Sequence, residues 1–438
     1  GEHANDRAGD GEAQRPRQDR VTSSSEVTGK AITDQEAPEA RLLRSARWGL
    51  YLTAAGLPLY VVRWHYGPLP TTLLETLIIV TVALYAVARW RDGMRRPVAT
   101  AYDIPIILLL VAGAISVLVA GDHRAALGLY RAYFIEPAAL FYVGADLLDR
   151  EQHMQRLVLA LALGSSAFAL INLEVFARAV LAHDVHVGVA PNALYGNANY
   201  VAMYLEPPFA LAAGLLFLGR GPRWKLVGAI WLAVVGAALV VMFSKGSYLA
   251  LACLAVVAFI TIPRWRLPLV AGLAAAAIAL TQIPLLQARL ATVPSSVNGR
   301  EEVFGAALSM IRDHPLFGLG LGGYNFLFRG VQPEAHPHDL WLTFWVELGV
   351  LGVIAFTIIL FGLLWRGWRA WPATEGFSRP LLWGVLGALV LWTVHGLIDS
   401  PYWKNDMSAE FWILAAIEVA VLRASIQSTQ PRAAPGGG

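Results

Sequence analysis

Cysteine is almost absent: the chain holds one, Cys253, inside an apolar run. A single thiol excludes an intramolecular disulfide and any cysteine-based metal cluster. Charge is scarce as well. Only 15% of residues are Asp, Glu, Lys or Arg, against about 25% in an average soluble domain. The formal net charge of +3 gives no case for nucleic acid, so no such partner is expected. Residues 1–40 contain no apolar stretch that resembles a cleavable signal peptide. They mix charge with Ser, Gly and Pro and read as a disordered cytoplasmic tail.

What the chain does have is apolar mass. Of 438 residues 56% are hydrophobic, 15 are tryptophan, and the mean hydropathy is +0.53. Indoles favour the bilayer interface, so this composition predicts an all-α polytopic integral membrane protein. A span needs roughly 20 mainly apolar residues. About twelve stretches qualify, nine within residues 41–284 and three within residues 340–423. Between them, residues 285–339 form one large polar loop, and residues 424–438 close the chain as a second cytoplasmic tail.

Lysine and arginine set the orientation. With the N-terminus inside, every inner turn is basic: Arg89, Arg91, Arg95 and Arg96; Arg150 and Arg156; Arg220, Arg223 and Lys225; Arg264 and Arg266; Arg366 and Arg369; then Arg423. The first outer turn, from His65 to Pro70, has no such cation, and an even number of spans puts both termini in the cytoplasm. This leaves Arg124, Arg131, Arg178, Lys245, Arg289, Arg300, Arg312 and Arg329 on the outer side. Long external loops escape the charge bias, which accounts for Arg312 and Arg329. Arg131 and Lys245 sit next to membrane helices, where outward cations suit a phosphate or diphosphate head group.

The large loop reads as two elements. Asn298 can cap a helix, with Glu301 three residues on. Val303, Phe304, Ala307, Leu308 and Ile311 then share a face, and Asp313-His314-Pro315 ends the run. Such a helix is expected to lie on the membrane surface with Arg300 in its first turn. Gly318, Gly320, Gly322 and Gly323 follow, without the strand and lysine that a nucleotide loop requires. Then come His336-Pro337-His338-Asp339 and an apolar helix. A first-turn histidine feels the positive end of the helix dipole, which favours the neutral imidazole that a general base must be. The plainer reading is a capping or interface histidine. A His-x-His pair can also bind metal, but no nearby carboxylate has ligand spacing, so no metal is expected. Glu75, Glu136, Glu174, Glu206, His395 and Asp399 lie within spans, and Glu136-Pro137 and Glu206-Pro207-Pro208 each join an acid to a helix break. Broken helices with acids are how transporters build midplane sites.

Gly299-Arg300, His314-Pro-Leu-Phe-Gly-Leu-Gly320, His338-Asp-Leu-Trp-Leu342 and Glu347-Leu-Gly349 together resemble the O-antigen ligase and polymerase superfamily. Tyr130-Arg131 with Glu136-Pro137, Pro191-Asn192 with Gly196-Asn197, and Phe243-Ser-Lys245-Gly-Ser247 resemble further landmarks. The resemblance covers most of residues 45–422 and implies a GT-C-like bundle of the bacterial inner membrane, with its active site on the extracytoplasmic side. It implies transfer of glycan from an undecaprenyl-diphosphate carrier to an acceptor hydroxyl; because the diphosphate already activates the donor, one direct displacement is expected, inverting and without metal or other cofactor. His338 matches the presumed base, and Arg300, then Arg131, match arginines that hold diphosphate. Lys245, Arg124, Arg289, His336 and Asp339 are further binding candidates. Two positions depart from the pattern: Lys245 stands where arginine is common, and Asp339 replaces the usual Asn. Three alternatives stay open: a polymerase of the same superfamily, a secondary transporter or flippase using the intramembrane acids, and a silent scaffold.

Overall fold

The computed structural model describes residues 38–67, 69–93, 98–185, 190–291, 293–327 and 336–429, with the side chains of 38, 69, 280, 289, 290, 293–299, 326, 327 and 427–429 outside that description. Most of the N-terminal tail, Arg95, Arg96, Arg329 and the residues from 430 onward therefore lie outside the described residues.

Sixteen helices are described. They are α1 (Pro38–Ala55), α2 (Leu73–Arg91), α3 (Asp103–Val119), α4 (His123–Tyr130), α5 (Glu136–Leu147), α6 (Glu151–Leu181), α7 (Ala198–Leu218) and α8 (Pro222–Val241). Then follow α9 (Lys245–Thr261), α10 (Arg266–Gln282), α11 (Pro284–Ala291), α12 (Val293–Asp313), α13 (Gly323–Leu327), α14 (Leu340–Ala370), α15 (Ser378–Gly396) and α16 (Asn405–Thr429). Each of the apolar stretches falls on a helix. Five of these are long and apolar enough to cross a membrane: α2, α6, α7, α8 and the run Leu340–Ala373 that contains α14. Two more, α3 and α9, are shorter apolar helices. The chain is thus a helical membrane protein.

The first outer turn is not plain loop. Arg63–Tyr66 (β1) pairs antiparallel with Leu69–Thr72 (β2), Arg63 opposite Thr72 and His65 opposite Pro70. Gly67, at φ +58°, makes the reversal that a β-carbon disfavours.

Helix α7 is the centre of the bundle, packed between α8 and α15, with α9 against α15. Glycines set how closely these helices approach: a β-carbon on Gly384 would lie 2.8 Å from Leu211 Cα, and one on Gly228 would lie 2.6 Å from Leu216 N. Small residues at crossings are how helices associate where the surrounding lipid is as apolar as they are. The same enclosure carries α7 unbroken through Pro207 and Pro208, so the break expected beside Glu206 does not occur. The second group joins α1 to α2 and α6, α5 to α16, and α3 to α14.

The loop helix also differs from expectation. It starts at Val293, which puts Asn298 inside α12 and not at its cap. Pro294 explains the earlier start, because proline is tolerated in the first turn, where its missing N–H is not needed. Val303, Ala307 and Ile311 bury against Tyr324 and Val346, while Leu308 stays 53% exposed. The helix therefore packs on α14 with most of the face that was expected to meet lipid.

Glycines of the loop bind it to a kink in α14. Gly349 lies at φ +71°, so the helical ladder opens there. Val350 N donates to Pro315 O at 3.2 Å, and Val346 O accepts from Leu319 N at 2.7 Å. Glu347 accepts from the backbone N–H of Gly322 and, at 3.2 Å, of Tyr324, capping the short α13. A β-carbon at Gly349 would stand 2.6 Å from the Leu316 carbonyl carbon, besides the strain of a left-handed side chain. Gly349→Ala is predicted to cost roughly 1–3 kcal/mol. Thermal unfolding of the purified variant in detergent checks this, and a midpoint equal to the parent's would refute the kink's importance.

Candidate active site

Four helices begin at the same polar end of the chain's packing, and their caps are the residues that an apolar helix needs to satisfy its first N–H groups. Thr72 and Glu75 form a capping box at α2, while Asn197, Ser244 and Asp339 cap α7, α9 and α14. Several of these residues, or their immediate neighbours, then bond to one another across helices.

His338 is at the centre. It precedes the cap Asp339, whose Oδ1 accepts from Leu342 N at 2.7 Å. Burial raises the Asp339 carboxyl above its usual range, against the lowering effect of the Leu342 and Trp341 N–H groups. Its place is at the helix start, which makes it a structural cap. His338 itself sits at φ +53°, a conformation that a side chain adopts only when its surroundings enforce it.

The enforcing partner is Asp399, in the turn between α15 and α16. Its Oδ1 lies 3.3 Å from His338 Nδ1 and accepts from Ser400 N at 2.8 Å. Asn199 Nδ2 donates to Oδ2, and Ser244 donates its hydroxyl to Asn199 Oδ1. Asp399 is 2% exposed. Burial alone would raise its carboxyl, but the hydrogen bond and charge of His338, then the charges of His336 and His395, hold it below the ordinary range. An ionised carboxylate can only accept, so Nδ1 of His338 carries a hydrogen, and once the ring is neutral the lone pair lies on Nε2. That is the arrangement of an oriented base.

His336 is buried, its ring 5.0 Å from that of His338 and its Nε2 3.3 Å from the Tyr200 hydroxyl. His336, His338 and Asp399 offer ligand atoms within 4.8 Å of one another, a set that can hold a metal ion. The absence of a carboxylate at ligand spacing is a property of the linear sequence, which the fold overrides. Both Asp399 oxygens are, however, engaged by N–H donors, so these residues fit a hydrogen-bonded base better than a metal centre.

The cations expected here divide. Gly246, next to Lys245, backs onto His395: a β-carbon there would lie 2.5 Å from His395 Nε2. His395 Nδ1 lies 2.6 Å from Glu206 Oε1, which also accepts from the Ser247 hydroxyl at 2.5 Å. Arg300 and Asp399 both act electrostatically on His395. The backbone at Gly246, the charge of Arg300 and the His338–Asp399 pair thus all act on His395 or its surroundings. Arg131 is elsewhere: its Nη2 is 2.6 Å from Glu75 Oε2 and its Nε 3.1 Å from Glu136 Oε1. Two carboxylates already meet its charge. Glu75 further accepts from Asn405 Nδ2 at 2.5 Å and from the Thr71 hydroxyl at 2.9 Å. Arg124 is exposed in the first turn of α4. Arg289 lies on α11 with its side chain outside the described residues.

The sequence had pointed to Asp399 only as one more buried acid, and Asn199, Ser244 and Tyr200 were not singled out. Nothing in linear order couples Asp399 to a histidine 61 residues earlier; Asn197 and Ser244 entered only within motifs of the family resemblance.

No curated protein matches the chain. Residues 228–357 match the family model described as O-antigen ligase, a stretch that runs from α8 into α14 and includes Lys245, Arg300, His336, His338 and Asp339.

Proposed function

We propose that the protein is a metal-independent, inverting glycosyltransferase of the O-antigen ligase kind. It moves glycan from an undecaprenyl-diphosphate carrier to an acceptor hydroxyl at the outer face of the bacterial inner membrane. The observation that carries this reading is the His338–Asp399 pair, a base oriented by a buried carboxylate, with the charge of Arg300 acting on neighbouring His395. The acceptor oxygen attacks the anomeric carbon and forms the new glycosidic bond. The bond from that carbon to the diphosphate oxygen breaks, and undecaprenyl diphosphate departs. The hydroxyl proton goes to Nε2 of His338, and Asp399 stabilises the imidazolium. Arg300, with Lys245, stabilises the charge that develops on the leaving diphosphate. The donor carries its own activation, so the step needs no metal to generate a nucleophile.

The buried Glu206–His395 pair is what favours the second reading, an ion-coupled transporter or flippase. One experiment separates the two. Purified protein in vesicles is given an undecaprenyl-diphosphate glycan and candidate acceptors, with and without an ion gradient, and the product is identified. Transfer to an acceptor in the absence of a gradient is expected; gradient-dependent movement with no new glycosidic bond would reverse the assignment. A product in which repeat units are joined to one another would make it a polymerase. Arg300→Ala is predicted to raise the donor KM roughly tenfold or more while leaving the acceptor KM in place, as loss of a charged contact to diphosphate does. Steady-state kinetics with each substrate varied in turn checks it.

A further inference from the structure

Lys404 lies five residues after Asp399, in the turn that leads into α16. Its Nζ stands 4.1 Å from the ring centroid of Tyr200, 4.4 Å from that of Tyr195 and 4.9 Å from that of Tyr60. Among the described residues its ammonium makes no ion pair. This sets it apart from Arg131, which two carboxylates neutralise. Aromatic faces hold a cation through their quadrupole and orient it without cancelling its charge. The cage also reaches the base: the Tyr200 hydroxyl is 3.3 Å from His336 Nε2, and the His336 ring is 5.0 Å from that of His338. Lys404 remains half-buried, so the ammonium is not sealed away from a ligand entering beside His336.

We infer that Lys404, held by Tyr60, Tyr195 and Tyr200, is a binding residue for the phosphoryl groups of the lipid-linked donor, at the His336 side of the site. The inference rests on the transferase reading and adds a cation that no cue in the sequence had singled out. A caged ammonium is a point charge with three donors, which suits phosphate oxygens that arrive in more than one orientation. It adds to the charge of Arg300, which acts electrostatically on His395.

Burial lowers the Lys404 ammonium to about 8, with Arg63 adding to the effect and Asp406 opposing it. The other groups facing it are the three tyrosines, and beyond Tyr200, His336. Tyr195 donates its hydroxyl to Asp406, and burial holds it protonated far above that range. Anion binding through Lys404 is therefore lost as pH rises through about 8.

Full-length protein in nanodiscs is titrated with inorganic diphosphate and, separately, with undecaprenyl diphosphate, between pH 6.5 and 9.5. For the parent, affinity for both probes falls as pH rises through about 8, although the probes themselves gain negative charge. Lys404→Met is expected to weaken binding about tenfold or more at pH 7, with the midpoint of thermal unfolding kept as a folding control. Lys404→Arg keeps its charge throughout and should bind without the fall near pH 8. Weakening confined to the lipid probe would place the contact at the lipid-borne phosphate; equal weakening places it at diphosphate itself. Parent-like affinity in Lys404→Met, or an undiminished pH fall in Lys404→Arg, overturns the inference. Glycan transfer by the parent is measured alongside. Its absence would reject the transferase reading while leaving the diphosphate titrations to judge Lys404 by themselves.

Discussion

His338→Gln is expected to lower glycan transfer by about 10²–10⁴-fold, the range that a positioned general base supplies. Glutamine keeps a polar side chain that can still bond Asp399, so the folded protein and its donor affinity should persist. The loss should therefore appear in kcat, with the donor KM close to the parent's. The measurement is single-turnover transfer with saturating lipid-linked glycan. It should be accompanied by a binding titration, to separate lost chemistry from lost occupancy. Retention of more than a tenth of the parent's rate would remove His338 from the role of base. The prediction follows from geometry as much as from family likeness: a left-handed residue held at φ +53° is strained, and here the strain turns its ring onto a buried carboxylate.

Asp399→Asn should be nearly as damaging, about 10²-fold or more in kcat. The amide keeps the shape, but its NH₂ can face His338 and hold Nδ1 without its hydrogen, which puts the wrong tautomer in the site. It also removes the negative charge that stabilises the imidazolium. Asp399 is held below the usual carboxylate value of about 3.9, so its ionised form stabilises the fold at all higher pH and is lost only as pH falls below that. Rate changes near neutral pH therefore do not report this carboxyl. In Asp399→Asn the plateau of kcat should drop across that range. Asn199→Ala, one bond further from the base, should show the same direction with a smaller loss. An Asp399→Asn enzyme with the parent's kcat would show that the pair is a packing contact only.

Other arrangements of the same residues bear on the mechanism. Arg131 matched a diphosphate-binding arginine by its position in the chain, yet Glu75 and Glu136 hold it from two sides. Its carboxylate partners come from the start of α2 and of α5, so the ion pairs tie the hairpin end of the bundle together. Lys404 presents the reverse case. Three aromatic rings surround its ammonium, one from Tyr60 and two from the stretch Tyr195 to Tyr200. The two cations show that position in a motif and availability of charge are different properties.

Apolar length and spacing decided, in the sequence alone, that this is a helical membrane protein. Backbone groups in lipid must bond within their own segment, so runs of apolar residues leave little choice but helices. The Asp313-His314-Pro315 stop marked where α12 ends because that signal acts within one turn, whereas Asn298 falls inside the helix and not at its cap. The histidine before α14 was legible for the same local reason. Tertiary structure alone decided which acid serves which base. Asp399, Asn199 and Ser244 reach His338 from three helix ends distant in the chain, and burial then fixes their charge and tautomer. It also decided that Glu347 caps α13, that Gly349 opens α14 to receive the glycine loop, and that Lys404 stands among tyrosines. Hydrogen bonds and desolvation act over a few ångströms of space, and linear order does not record that distance.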